Sequence, residues 1–341
     1  MESILVLTHA DESGSALSKA SLEAVTAGME LAGKLGAGLA IGVVAADAAA
    51  VHALAGTGAR LLAVTGAEFA QARYGSDAAA CEAICRAAQA SLVLAPGSSR
   101  LARVAASVAH RLGGCIDTHI SAVAVNGGIE AARWFYRQRV EAVISRDRRP
   151  WFLLLDAGTH AAYASAPAAV EAEQVAVTLP PLRTTVSGFR MPAQDAQTIR
   201  PDAKMLFVAG AGWTKKQPDG QVHAEEAGKL ILGFLRATGA SLGSSKSLVD
   251  QGSEGNSVLP FLTHLNQIGQ TGSTPRHAKG LATCCHGEEP HVVGWRFIGE
   301  RRAISLDPNC GWTRGKADVV YIADAFPVIA RLNALLEAKK A

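Results

Sequence analysis

Five junctions in the second half of the chain place small or polar residues directly after an apolar run or before a helix-forming segment. They are Gly210-Ala211-Gly212, Gly243-Ser244-Ser245-Lys246, Gly269-Gln270-Thr271-Gly272, His286-Gly287 and Ser305-Leu306-Asp307-Pro308. In an open parallel sheet the carboxyl ends of the strands line one edge, and ligands bind there. Turns without bulky side chains let backbone N–H groups approach a phosphate or a flat ring closely. The junctions therefore predict a site for a long ligand with several polar groups, and a dinucleotide fits that description.

The first junction follows the apolar run Met205–Ala209, a pattern that predicts a buried strand ending in a tight turn at 210–212. Gly-x-Gly also occurs in many βα turns that bind nothing. An NAD-dependent enzyme built on this turn is one alternative. It requires a third glycine, and Lys215 occupies that place.

The hydrophobic pattern predicts how the junctions are positioned. Residues 3–112 alternate between strand and helix patterns, which indicates a parallel sheet with helices on both faces. Predicted strands are 3–9, 39–45, 60–65 and 91–95, and predicted helices are 17–35, 48–55, 76–90 and 101–112. Ser76 and Asp77 are expected to cap the third of these helices. Four strands without intervening helices then follow, at 121–125, 129–136, 140–145 and 151–156, with a further candidate at 175–179. The sheet is therefore expected to finish in antiparallel strands.

A stretch rich in alanine and proline follows, and it predicts two domains, 1–183 and 201–341, joined by a linker at 184–200. In the second domain the predicted strands are 204–209, 240–243, 280–285, 302–306 and 318–322. Its predicted helices are 221–238, 246–250, 257–265, 288–293 and 325–338, the last capped by Asp324. The predicted fold class is α/β with two domains. The first is a doubly wound parallel sheet with added antiparallel strands, and the second is flavodoxin- or Rossmann-like.

Composition narrows the class of protein. Hydrophobic residues make up 49% of the chain and charged residues 18%, as in globular proteins. The net charge of +3 argues against nucleic acid as a partner. The N-terminus lacks a signal-peptide pattern and no run predicts a membrane span, so we expect a cytoplasmic protein that is not membrane-embedded. No zinc-ligand spacing or nucleophile motif is present, and Cys284-Cys285 is either a redox pair or two small buried residues.

The second half resembles the FAD-binding domain of electron transfer flavoprotein α subunits. Ile268–Gly272 is similar to that family's V-G-Q-T-G, and Gly239–Asp250 to its G-A-x-V-G-A-S-R-A-x-V-D. His291 occupies the histidine place of S-G-A-x-Q-H-x-x-G-M, and Asp307-Pro308 matches the end of N-K-D-P. The first half is similar to the family in its plan of strands and helices. The resemblance thus extends over essentially the whole chain.

This resemblance implies that FAD is the ligand. The implied cofactor-binding residues are Gly210, Ala211, Gly212, Ser245, Lys246, Ile268, Gly269, Gln270, Thr271, Gly272, His286, Gly287, His291, Ser305 and Asp324. In the family, the threonine of Q-T-G lies near the reactive nitrogen of the flavin and the histidine near its pyrimidine edge. The implied protein is an electron carrier rather than a substrate-converting enzyme. It would form a heterodimer with a β subunit, accept electrons from a flavin-linked dehydrogenase and pass them to a membrane quinone reductase.

Several residues depart from the family pattern. Ala211 replaces the arginine of G-G-R-G, and Lys246 replaces a second arginine, so the planar fork is absent at both places. His286 replaces a serine, Ser305 replaces an asparagine, and Glu288-Glu289 adds two acids. These differences support an alternative, a non-redox scaffolding subunit of the same fold that binds no flavin.

Three further features each have two interpretations. His9, Asp11 and Glu12 form either a nucleotide contact or a solvated loop. The arginine-rich segment 133–149 is either a partner contact or the exposed face of a β ribbon. Trp213 either covers the flavin or packs in the core.

Overall fold

In the computed structural model the chain divides into two units, Met1–Phe189 and Arg190–Ala341. The structure describes residues 2–11, 14, 16–135, 140–164, 168–187, 199–200, 203–250, 258–268, 276–283, 298–310 and 317–339. Most of the predicted linker, 184–200, lies outside these ranges. No helix among the described residues is both long enough and apolar enough to span a bilayer.

The first unit is built on a mixed sheet. Its strands are β1 (Ser3–His9), β2 (Gly38–Ala45), β3 (Arg60–Thr65), β4 (Leu92–Pro96), β5 (Cys115–Val125), β6 (Ile129–Phe135), β7 (Val140–Ile144), β8 (Trp151–Leu155) and β9 (Glu173–Gln174). They lie in the order β7-β6-β5-β8-β4-β1-β2-β3-β9. The pairings β5–β6 and β6–β7 are antiparallel and the others are parallel. The predicted doubly wound sheet with antiparallel strands at one side is confirmed.

Helices cover both faces of this sheet. They are α1 (Lys19–Leu35), α2 (Tyr74–Ala88) and α3 (Ser99–Arg111), with short 3-10 helices at Ala48–Leu54 and Ala67–Phe69. Successive strand residues point to opposite faces, so Ile4 and Val6 pack with α1 while Leu5 and Leu7 pack with α2 and α3. Because both faces are buried, the parallel strands read as continuous apolar runs.

Some predicted boundaries in the first unit are wrong. Strand β5 begins at Cys115 rather than at 121, because its first residues pair with β8 before the strand turns to pair with β6. The polar residues Asp117 and His119 interrupt the apolar pattern there. The segment 48–55 forms a 3-10 helix. In place of the strand predicted at 175–179, the short strand β9 at Glu173–Gln174 pairs with β3.

The cap predicted at Ser76 and Asp77 is wrong in position, although Asp77 does accept an N–H group at the start of the helix. Helix α2 begins at Tyr74 with Arg73 as its N-cap residue. The carboxylate of Asp77 instead forms a buried ion pair with Arg100 of α3 at 2.7 Å, and it accepts a hydrogen bond from the backbone N–H of Arg73. The acid that looked like a cap therefore joins two helices.

The second unit contains a parallel sheet. Its strands are β10 (Met205–Ala209), β11 (Ser241–Ser244), β12 (Lys279–Thr283), β13 (Glu300–Ser305) and β14 (Val319–Ile322), in the order β11-β10-β12-β13-β14. All four pairings are parallel. The described helices are α4 (Ala224–Thr238), α5 (Lys246–Asp250) and α6 (Ala325–Ala338), with 3-10 turns at Ala211–Thr214 and His264–Asn266.

Helices α4 and α6 contact each other and cover the sheet face that carries Phe207, Leu281 and Ile304. Asp324 caps α6, as predicted, by accepting the N–H of Phe326 at 2.9 Å. The predicted helix 257–265 is wrong, since the described part of this segment forms only the short turn beginning at His264. The predicted helix 288–293 lies outside the described residues.

Candidate functional site

The strand order of the second unit identifies one edge as the place for a ligand. Strand β10 lies between β11 and β12, so the order reverses beside it. In doubly wound sheets ligands bind outside the carboxyl ends of the strands at such a reversal. The candidate site is therefore the edge formed by the ends of β10, β11 and β12.

Backbone hydrogen bonds hold these strand ends together. The N–H of Gly210 donates to the carbonyl of Thr283 at 2.9 Å, and the N–H of Ser245 donates to the carbonyl of Ala209 at 2.9 Å. The N–H of Ile268 donates to the carbonyl of Ser244 at 3.1 Å. Three of the junctions singled out in the sequence thus lead into one region, since Ile268 directly precedes Gly269–Gly272.

The chain turns tightly after Gly210, as the sequence predicts, and the turn is buried. Residues 211–214 form a buried 3-10 turn, and the side chain of Ala211 is 1% exposed within the core. Trp213 is fully buried, donates from Nε1 to Thr283 Oγ1 at 2.8 Å and packs on Phe326 with ring centroids 4.7 Å apart. Of the two interpretations of Trp213, the structure supports packing.

The end of β11 supplies hydroxyl groups and one exposed cation. Ser245 is buried, and its Oγ accepts the N–H of Leu248 at 3.2 Å, so it caps the start of α5. Lys246 is exposed and pairs with Asp250. The neighbouring Ser244 is completely buried, and its Oγ has no hydrogen-bond partner among the described residues. A buried hydroxyl without a partner is costly, which suggests that a ligand atom completes it.

A second set of residues, which the sequence analysis missed, positions the chain before Gly269. Thr263 and Asn266 form a capping box, and Asn266 Nδ2 donates to the carbonyl of Leu242 at 3.2 Å. An added Cβ on Gly243 would lie 3.0 Å from Ile268 Cγ2, so a larger residue here would require the Ile268 side chain to shift. The spacing of Thr263 and Asn266 could have predicted this turn from the sequence, because T-x-x-N is a variant of the S/T-x-x-E/Q capping box.

The remaining predicted site residues divide into two groups. Ser305 is buried at the end of β13, where its Oγ accepts the N–H of Asp307 at 3.2 Å, and Asp324 caps α6 on the same edge of the sheet. Strand β14 joins this edge through the hydrogen bond from Ala323 N–H to the carbonyl of Ser305 at 3.1 Å. The other predicted residues lie outside the described residues: Gly269, Gln270, Thr271, Gly272, His286, Gly287 and His291, together with Cys284-Cys285.

The first unit has a comparable reversal between β1 and β4. There His9, which is 8% exposed, shares a hydrogen bond between its Nε2 and Ser98 Oγ at 2.8 Å. Its Nδ1 lies 2.6 Å from the carbonyl oxygen of Ala10. His9 therefore connects the ends of the two strands rather than forming part of an exposed loop.

The arginine-rich segment also contributes internal contacts. Arg133 and Arg146 both bind the buried carboxylate of Asp117, at 3.1 and 2.9 Å, and Trp151 Nε1 donates to it at 2.9 Å. Burial acts to raise the pKa of Asp117, but the hydrogen bonds from Arg146 and Trp151 outweigh it, so the pKa lies below its usual range. At least two of the arginines therefore stabilise the first unit.

The buried thiols of the first unit are not reactive. Burial raises the pKa of Cys81 to about 12, and the pKa of Cys85 also lies well above its usual value because of burial. Since the thiolate is the reactive form, both cysteines behave as small apolar residues of the core.

Comparison with known proteins agrees with this architecture. A family model described as the electron transfer flavoprotein domain matches residues 6–181, just over half of the 341 residues. No curated protein matches the chain. The matched region lies within the first unit, whereas the motifs that resemble the cofactor site lie in the second. The chain belongs to the electron transfer flavoprotein family.

Proposed function

We propose that this chain is an α-type subunit that binds FAD at the carboxyl edge of its second sheet and carries electrons as half of a heterodimer with a β subunit. The observation that carries the proposal is the set of strand-end hydrogen bonds, from Gly210 to Thr283, from Ser245 to Ala209 and from Ile268 to Ser244. These bonds place Ile268, the residue before the Gly269–Gly272 motif, at the carboxyl end of β11, on the edge of the sheet where doubly wound folds bind nucleotides.

The described residues fit such a ligand. The unpartnered Oγ of Ser244 offers a hydrogen bond, and two residues later comes the exposed Lys246, whose ammonium pairs with Asp250. Gly243 allows the chain at Ile268 to lie against the end of β11, so little side-chain volume separates this strand end from a ligand. Hydroxyls, glycine and a cation suit a ligand that carries phosphates and a polar ring system.

Each residue then has a physical role. FAD, when bound, would take up and release the electrons. Ser244 would orient it by a hydrogen bond, and Lys246 would favour its negatively charged forms over neutral ones. Asn266 would hold the Gly269–Gly272 motif at a fixed distance from β11. Gln270, Thr271 and His291 would contact the flavin as the resemblance implies, and Asp324 would lie near the adenosine end.

Electron transfer of this kind requires a donor and an acceptor. We propose a flavin-linked dehydrogenase as the donor and a membrane quinone reductase as the acceptor. The chain then needs to position and tune a cofactor, and it needs no side-chain nucleophile.

The visible spectrum of the purified chain, alone and co-expressed with a β subunit, tests the proposal. Flavin absorption bands and one released FAD per heterodimer are expected. A colourless heterodimer that takes up no added FAD would refute the cofactor assignment.

A flavin-free scaffolding subunit is the second candidate, and the position of Ala211 favours it. This residue is buried in the apolar core, so the glycine turn delivers no cation to the site. That candidate predicts a stable heterodimer with no flavin, which the same preparation would show. Bound FAD would eliminate it.

A further inference from the structure

The second unit contains a cavity that the proposed flavin site does not use. It has a volume of about 550 Å³ and lies between α4, α6 and the sheet. Phe234 and Leu332 line it from the helices, and Leu281 and Ile304 from the strands. This volume falls within the range of small-molecule pockets, which are mostly apolar with a few polar groups.

Helix α6 shows why the cavity exists. In its first half, Phe326 and Ile329 are buried against the core. In its second half, Leu332 and Leu336 are only partly buried although they face the cavity, and Leu335 is 50% exposed. Helix α6 therefore has an apolar surface that the described residues cover only in part.

Charged groups surround the mouth of the cavity. Glu300 lies between two cations, with its carboxylate 2.7 Å from Arg302 Nη2 and 3.5 Å from Lys279 Nζ. Arg302 Nη1 also donates to the hydroxyl of Tyr321 at 3.4 Å. Two cations against one carboxylate leave one net positive charge beside an apolar interior.

The cavity is distinct from the candidate flavin site. Met205, Lys279 and Glu300, which line it, are the first residues of β10, β12 and β13. It therefore opens towards the amino ends of the strands, whereas the flavin site is proposed at their carboxyl ends.

We propose that this cavity binds a small amphipathic anion, with its apolar body between α4, α6 and the sheet and its anionic group beside Arg302 and Lys279. The apolar lining provides the burial that drives binding. The excess positive charge at the mouth selects an anion over a neutral or cationic molecule of the same shape. Glu300 holds the Arg302 guanidinium in place for this contact.

Calorimetric titration of the full-length protein with decanoate, below its micelle concentration, tests the proposal. Saturable binding at one site is expected, with decanol weaker and decyltrimethylammonium weaker still. Arg302→Gln should weaken decanoate binding about 2- to 5-fold, as expected for a partly exposed ion pair. The matched control is Arg301→Gln, because Arg301 points to the opposite face of β13, pairs with Asp318 and should leave the affinity unchanged.

Two variants fill the cavity from different helices. Leu332→Trp acts from α6 and Thr238→Phe from α4, and each should abolish binding while circular dichroism confirms that it folds. The proposal is overturned if no saturable binding occurs, if a folded filling variant binds decanoate normally, or if the cationic analogue binds best. It is also overturned if the β subunit blocks binding in the heterodimer, because the cavity would then be part of a subunit interface. Flavin content is measured separately from the visible spectrum, so an absence of decanoate binding would not count against the proposed function.

Discussion

The two sheets reverse their strand order in the same way, but different side chains lie at the strand ends near the reversal. In the first unit, His9 bridges to Ser98 and so connects the ends of β1 and β4. In the second unit, Trp213 donates to Thr283 across the reversal. The neighbouring strand β11 ends in a completely buried Ser244, whose hydroxyl has no partner among the described residues. The fold supplies the same reversal twice, and the two units differ in the side chains at their strand ends.

The largest effect should come from placing the missing arginine in the glycine turn. Ala211→Arg would put a cation into the core around Trp213 and Phe326, and it should lower the free energy of unfolding by about 3–5 kcal/mol. Thermal and urea unfolding would measure this. Lys246→Arg is the control, since Lys246 is exposed and should tolerate the change. An Ala211→Arg protein of unchanged stability would mean that residue 211 faces the cofactor site after all.

The ion pairs of the first unit should make it sensitive to acid. The pKa of Asp117 is lowered despite burial because Arg146 and Trp151 bind the carboxylate, so its contribution is present above the unfolded-state pKa of about 3.9 and is lost as the pH falls through the lower folded-state value. Asp117→Asn should lower the free energy of unfolding by about 1.5–3 kcal/mol at pH 7 and by less at pH 2. Urea unfolding at both pH values measures this, and an equal loss at the two would contradict it.

Gly243→Ala should lower the free energy of unfolding by about 1–3 kcal/mol, because the added methyl would press on Ile268 and Leu206. Displacing Ile268 should also reduce FAD affinity in a titration of the apoprotein. Gly38→Ala is the matched change at a strand of the first unit, where an added Cβ meets nothing within 4 Å. If both variants bind FAD equally well, Ile268 does not position the motif.

The smallest expected changes, in stability and in FAD affinity, should differ between the two units. Ser244→Ala removes an unpartnered buried hydroxyl, so stability should hold or rise, while FAD affinity falls about 5-fold through loss of about 1 kcal/mol. Ser98→Ala breaks the bond to His9 and removes the N-cap of α3, so it should lower stability by about 1–2 kcal/mol and leave FAD affinity unchanged. Parallel unfolding and FAD titrations would show a difference, and identical profiles would remove the distinction between the two sheet edges.

The apolar runs predicted the strands well, because a buried parallel strand needs little besides hydrophobic residues on both faces. The run 204–209 agrees with β10 to within one residue, and the cap at Asp324 was visible as a single acid before an apolar helix. Long-range pairing could not be seen in this way. The local sequence marks Asp77 as a cap, and only the fold shows that Arg100 takes its carboxylate.

The candidate site was predictable as a set of strand ends but not in its detailed geometry. The spacing of Leu259, Leu262 and Leu265 imitates a helix, whereas Thr263 adopts an extended backbone and caps the turn that follows. Burial of Ala211 and the missing partner of Ser244 depend on packing between distant segments, which residue spacing does not encode.

The contacts that hold Asn266 and Ile268 to β11 also affect the entropy of binding. Fixing the backbone of one residue costs about 1–2 kcal/mol of conformational entropy. Residues 266–268 are already fixed by the capping box and by hydrogen bonds to Leu242 and Ser244. A ligand held by the residues that follow need not supply that cost, so the protein meets part of the entropic cost of recognition when it folds.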